Sequence, residues 1–114
     1  MSSETLKQIE QEIENAKIIV ELSDSLERLS NNRDFKKIVL ENYFREEAVR
    51  LVHLKGNPAM QKEEHQKAIL SSMDAISALR QYFQTIEQQA NQARRSILGA
   101  EETRDELLAE ELGQ

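Results

Sequence analysis

The sequence predicts an all-α protein: an elongated helical hairpin or three-helix bundle with a long C-terminal helix. Its 114 residues include only three Gly and one Pro. They are rich in Glu, Gln, Leu, Ala, Lys and Arg, which lose little side-chain freedom on a helix. Apolar residues also recur at alternating three- and four-residue steps, which is the spacing of one helix face. Together these features favour helices throughout the chain.

The first helix is predicted at about residues 5–29. Thr5 and Gln8 have the spacing of a capping box, in which each side chain bonds to a backbone N–H of the first turn. The apolar positions then keep heptad spacing, with one three-residue step that is expected to turn the stripe around the helix. These positions are Leu6, Ile9, Ile13, Ala16, Ile19, Leu22, Leu26 and Leu29.

The second helix is predicted at about residues 33–55, after a turn at Asn31 and Asn32. Asn tolerates left-handed backbone angles at a helix end, and it is also a favoured N-cap. Apolar residues of this helix point in most directions, so we expect neighbours on several sides. The side chains predicted to form the core of the hairpin are Phe35, Tyr43, Phe44 and Leu51.

The third helix is predicted at about residues 58–111. Gly56 can take the left-handed position that ends a helix, Asn57 can cap the next one, and Pro58 suits its first position. So short a connection requires antiparallel helices. Gly99 weakens the helix locally by about 1 kcal/mol relative to Ala, and an acidic tail follows at residues 101–114.

An apolar seam on the third helix predicts self-association. Neither preceding helix is long enough to cover even half of a helix of roughly 80 Å, so the part beyond Ile86 is expected to need a second molecule. Packing within one chain is the alternative, and a different protein partner is another. The predicted coiled-coil-like interface comprises Ile76, Leu79, Phe83, Ile86, Ala90, Ala93, Ile97, Ala100 and Leu107.

Composition predicts a single domain, residues 1–114, that does not act mainly on nucleic acid. The net charge is −6, whereas phosphate binding requires a cationic face. Cys is absent, which excludes disulfides and thiolate chemistry. No apolar run approaches the ~18 residues of a membrane span, and the first residues do not resemble a signal peptide. We therefore expect a cytoplasmic protein without membrane contact.

No residue pattern predicts catalysis, a cofactor or a metal site. His53 and His65 lack the acidic residue three positions earlier that helical di-iron sites use. Neighbouring Glu pairs point about 100° apart on a helix and do not converge. Arg94 and Arg95 form the main cationic cluster, and we expect them on a polar face or paired with a neighbouring acidic tail. A non-enzymatic protein is the expectation.

Two segments resemble small all-helical proteins of tailed bacteriophages that are encoded among virion and assembly genes. They are residues 31–52, NNRDFKKIVLENYFREEAVRLV, and residues 74–86, DAISALRQYFQTI, followed by the Glu-rich stretch from Glu101. The resemblance implies a structural or assembly protein that associates with itself and other virion proteins, located in the host cytoplasm during assembly and in the virion. Two alternatives remain: a regulatory protein that binds a host or phage enzyme, and a DNA-packaging accessory resembling a small terminase.

Overall fold

The computed structural model describes residues 2–113, is 95% helical and has no strands in that range. It confirms the predicted all-α fold with a long C-terminal helix. The elements are α1 (Ser2–Ser30), α2 (Arg33–Phe35), a π-helix (Lys36–Glu47), α3 (Ala48–Gly56), a 3₁₀ turn (Pro58–Met60) and α4 (Glu63–Leu112). The first and last residues of the expected domain, Met1 and Gln114, lie outside the described range.

The chain forms two compact units. Residues 1–25 and 85–114 make one, here called the terminal unit, and residues 26–84 make the other, the hairpin unit. Both α1 and α4 contribute to each unit. No helix in the described range has a stretch apolar enough to cross a membrane.

Two helices, α1 and α4, begin at residues that differ from the prediction. α1 begins at Ser2, so the Thr5–Gln8 capping pattern lies inside the helix. α4 begins at Glu63 instead of residue 58, because Pro58–Met60 form a separate 3₁₀ turn. The Asn57 side chain caps this turn by accepting from the Ala59 N–H at 2.9 Å. The predicted break is therefore present, with a longer connection.

Side-chain amides hold the connection between α3 and α4. The Nε2 atoms of Gln61 and Gln66 donate to the Lys55 carbonyl at 3.0 and 3.1 Å. Gln66 also donates to the Met60 carbonyl. These bonds satisfy a carbonyl that the end of a helix leaves without an intrahelical partner. The left-handed backbone expected at Gly56 and Asn31 is wrong, because no described residue has positive φ.

The hairpin unit has its core between α3 and the first part of α4. Leu51, Ile69 and Ile76 are buried, and half-buried apolar side chains, including Tyr43 and Phe44, pack against them. Farther from the connection, the ring centroids of Phe35 and Phe83 lie 6.0 Å apart. The rings of Phe44 and Phe83 meet edge to face at 5.9 Å. All four side chains predicted for the hairpin core thus lie in or beside these contacts.

A π-helix of twelve residues precedes α3, and the sequence analysis did not predict it. Covered side chains recur here as pairs every four residues, at 39–40, 43–44 and 47–48. An α-helix turns 400° over four residues, so such pairs would drift away from α4. A π-helix, whose i→i+5 bonds widen each turn, falls short of a full circle over the same step, so its pairs drift by a similar angle in the opposite direction. The spacing of the pairs therefore does not account for the π-helix.

Candidate helix-packing surface

The nine residues of the predicted interface form the covered side of α4 within a single chain. In the hairpin unit, Ile76 is buried, and Leu79 and Phe83 are half-buried. In the terminal unit, Ile86, Ala90 and Ala93 are 6%, 0% and 6% exposed. The remaining members of the seam are half-buried, namely Ile97, Ala100 and Leu107.

The expectation that the seam beyond Ile86 lacks intrachain cover is therefore wrong. Residues 1–25 belong to the same compact unit as residues 85–114, so the first helix covers the distal part of α4. Ala93 lines a groove together with Ala16 and Ile19 of α1. The prediction treated the two preceding helices as alternatives for one stretch of α4. Each of them pairs with a different stretch.

One flank of the covered stripe is highly charged. On α1, five successive covered positions are each followed by a charged residue. These charged residues are Glu10, Glu14, Lys17, Glu21 and Asp24. On α4, the corresponding residues include Glu87, Arg94, Glu101 and Asp105. Arg94 joins the two helices on this flank, since its Nη2 lies 3.7 Å from Asp24 Oδ1. We call this side the charged flank.

The opposite flank of α4 carries no charge over most of its length. Eleven covered positions of α4 are each preceded by a residue that is exposed and uncharged. In a chain with 32% charged residues, three or four of eleven positions would ordinarily be charged. We call this set the neutral row. Its members are Ala68, Ser72, Ala75, Ala78, Tyr82, Thr85, Gln89, Gln92, Ser96, Gly99 and Thr103.

The neutral row borders a groove in the terminal unit. This groove has a volume of about 570 Å³. Gln89, Gln92 and Ser96 line it from α4, and Asn15 and Ile19 line it from α1. On each helix these residues precede covered positions. Equivalent flanks meet across a helix pair when the helices run antiparallel, so α1 and α4 are antiparallel in this unit.

Two apolar side chains of the predicted α1 stripe are exposed. Ile19, which lines the groove, is 39% exposed, and Leu22, one helical turn farther, is 49% exposed. The three-residue step before Ile19 was expected to turn the stripe around the helix, and both residues lie away from the covered face. The covered positions instead continue through Val20 and Ser23, because that spacing keeps one face of α1 on α4. Ile19 and Leu22 remain available on the outside.

The hairpin unit has its own groove between the π-helix, α3 and α4. Its apolar wall includes Ile38, Tyr43 and Ile76, and its rim carries a bidentate ion pair between Glu47 and Arg50. Arg50 Nε lies 3.1 and 3.0 Å from the two Glu47 carboxylate oxygens. This hydrogen bonding lowers the pKa of Glu47 below its ordinary value and raises that of Arg50.

The other residues considered for chemistry are the two histidines, the acidic residues and Arg94. His53 is exposed and His65 is half-buried. Among residues 2–113, no group of three or more acidic or His side chains could hold a metal ion. Arg94 is engaged by Asp24 and also donates to Asn91 Oδ1 at 2.9 Å. Arg94 therefore makes its polar contacts within its own chain.

The neutral row was not predicted as a unit from the sequence. The available signal was the absence of charge at positions one residue before the seam, from Ala68 to Thr103. The absence of charge becomes informative once the seam is known to be covered within the chain, because the flanks are then the exposed surface of α4. No protein-family model, curated protein or solved structure matches this chain.

Proposed function

We propose that this protein is a non-enzymatic structural or assembly component of a tailed phage particle that acts through helix-to-helix packing. The observation that carries the proposal is the neutral row, an exposed and uncharged flank on α4 of a highly charged chain. Cores of protein interfaces are depleted of charged residues. A flank of this kind is suited to packing against further helices.

The assignment to a phage particle rests on the resemblance of residues 31–52 and 74–86 to helical virion and assembly proteins. In the structure these segments supply the π-helix, most of α3 and the part of α4 that meets them. They therefore build the hairpin unit. A protein of this kind contributes a rigid helical element to a larger assembly, with no reaction of its own.

The grooves support binding of helices better than binding of a small molecule. The groove of the terminal unit is lined by short or uncharged side chains, with Glu12 as its one charged member. Small-molecule sites usually enclose most of the ligand and present a few convergent polar groups. Within the terminal unit, the neutral row instead continues along α4 from residue 85 to residue 103. An extended strip matches another helix.

Mass spectrometry of phage material tests this proposal. Mature particles and precursor shells are purified separately from infected cells, and the protein is quantified against the major capsid protein in each. Presence in mature particles supports a virion component, and presence in precursor shells alone supports an assembly factor. Absence from both, together with co-purification with a single enzyme, would contradict the proposal in favour of a regulatory protein.

A matched pair of variants connects this test to the neutral row. Gln92 lines the groove. Gln88 is exposed and lies midway between two covered positions, so it points directly away from the seam. Gln92→Glu and Gln88→Glu introduce the same charge on the same helix. We expect only Gln92→Glu to reduce incorporation into particles or shells. Equal incorporation of both variants would contradict a role for the neutral row in assembly.

A further inference from the structure

We propose that Arg33, Lys36 and Lys37 of the hairpin unit bind the acidic tail of a second copy of this chain. We call these three side chains the hairpin cations. The contact joins different surfaces of the two copies, so it is heterologous and not two-fold symmetric. The inference rests on the proposed function and specifies the first partner in the assembly.

Positive charge is concentrated around the turn between α1 and α2. Residues 28–37 include four basic side chains and one acidic side chain, in a chain whose net charge is −6. The hairpin cations are exposed, and they line a depression of about 390 Å³ together with Asn31 and Glu41. None of the three has a salt bridge to a residue that the structure describes. They are therefore available to an anionic partner, because Glu41 offsets only one of the three charges.

Negative charge is concentrated in the acidic tail. Residues 101–111 include six acidic side chains and one basic side chain. The basic one, Arg104, lies beside Asp105, with its Nε 3.5 Å from Oδ1. Glu102 and Glu106 are exposed, and neither has a salt bridge within the described part of the chain. We call these two side chains the tail carboxylates.

The two sets of charges have matching spacing. Arg33 and Lys37 lie four residues apart on the helical segment after the first turn, and Glu102 and Glu106 lie four residues apart on α4. Side chains with this separation are neighbours on a helix surface. Two such helices side by side can consequently form two salt bridges at once.

A second copy accounts for both sets of charges. Every copy carries the hairpin cations and the tail carboxylates, and each set lacks an ion-pair partner within its own chain, as far as the structure describes it. A nucleic acid would use the cations alone, and its phosphates would be repelled by the net charge of −6. The charged flank of α1 is a weaker anionic candidate, because Lys17 lies among its carboxylates and pairs with Glu14 at 3.7 Å.

A heterologous contact leaves one set of charges unused on each of the two copies. Further copies can therefore add in the same way, which produces a ring or a filament. Growth of this kind suits a structural or assembly protein. Because exposed salt bridges each contribute little, we expect the association to be weak and sensitive to salt.

Sedimentation and light scattering of the full-length chain over a wide concentration range test this contact. At an ionic strength of about 0.01 M we expect the molar mass to rise with concentration, and at about 0.15 M to fall towards that of the monomer. Arg33→Glu/Lys37→Glu should weaken association by at least about tenfold relative to the control Arg45→Glu/Lys62→Glu. The control reverses two exposed cations of the same unit outside the depression, so both variants have the same net charge.

A charge-swapped mixture identifies the partner. Glu102→Lys/Glu106→Lys should also lose self-association, although it lowers the net negative charge of the chain. Mixed with Arg33→Glu/Lys37→Glu, it should associate again, because the reversed charges of one variant then meet the reversed charges of the other. Far-ultraviolet circular dichroism should show equal helicity for all the variants.

Three results would overturn the inference. A wild-type chain that stays monomeric at every concentration would exclude the contact. Helical variants that fail to associate when mixed would place any self-association elsewhere on the chain. Binding of a DNA duplex that Arg33→Glu/Lys37→Glu abolishes would assign the hairpin cations to phosphate. Protein found in particles or precursor shells despite any of these results would leave the proposed function standing, so the two failures are distinguishable.

Discussion

At the scale of single residues, the ion pair of Glu47 and Arg50 on the rim of the hairpin groove shows how local contacts set a titration. The guanidinium donates to both carboxylate oxygens, and this stabilises the charged form of Glu47. Its folded pKa is thereby lowered. Stability from this pair is present above the unfolded pKa, and it is lost as pH falls through the folded value.

Removing the guanidinium should restore the ordinary titration of this carboxyl. We expect Arg50→Gln to raise the pKa of Glu47 because its strongest hydrogen-bond donor is lost. Carbon-detected NMR of the side-chain carboxyl across an acid titration measures the shift. Arg45→Gln is the control, since it removes a nearby exposed cation of the same π-helix. A Glu47 pKa unchanged by Arg50→Gln would contradict the assigned cause.

Gly99 tests the continuity of α4 at a single position. It lies inside the helix, and apart from its chain neighbours and the adjacent helix backbone no atom lies within 4 Å of where its Cβ would be. Gly99→Ala should therefore stabilise the chain by about 1 kcal/mol, because Ala loses less backbone freedom on a helix. Denaturant unfolding at low protein concentration measures the free energy. A loss of stability there would show that α4 does not continue as a helix through this position.

At the scale of elements, the pairing of α1 with the distal half of α4 depends on small seam residues. Ala90 has no exposed surface and Ala93 only 6%. Their short side chains allow the two helices to approach closely, with larger residues such as Ile9 and Ile13 supplying the buried apolar area on α1. The seam is therefore a requirement of the monomer fold.

Charge in this seam should unfold the terminal unit. Ala90→Asp buries a carboxylate where the wild type has a methyl group, and we expect a loss of about 3 kcal/mol or more in the free energy of unfolding. Asn91→Asp places the same carboxylate at the adjacent exposed position and should cost little. Thermal unfolding followed by circular dichroism compares the two variants. A stable Ala90→Asp chain with full helicity would contradict the packing described for α4.

At the scale of the whole molecule, the flanks of the covered stripe in the terminal unit differ in charge. Positions after the covered residues of α1 are charged from Glu10 to Asp24. The residues before covered positions include the uncharged Asn15, Ile19 and Leu22, with Glu12 as a charged member.

The periodicity of apolar residues located the covered side of α4. The seam from Ile76 to Leu107 is the covered side of α4 throughout, since the spacing of apolar residues reports directly which helix face leaves water. The caps at Asn32 and Asn57 bond as their sequence positions predict. The groove of the terminal unit could not be found in this way, because residues distant in sequence, such as Ile19 and Gln92, line it together.

The sequence by itself determined the helical class, the breaks near Asn32 and Asn57, and the face that each part of α4 buries. These follow from local propensity and from the repeat of apolar side chains along one helix. The tertiary structure decided that residues 1–25 cover the distal part of α4, and that residues 36–47 form a π-helix. Helix pairing depends on contacts between distant segments, and apolar seams of similar spacing leave several pairings open until the whole chain packs.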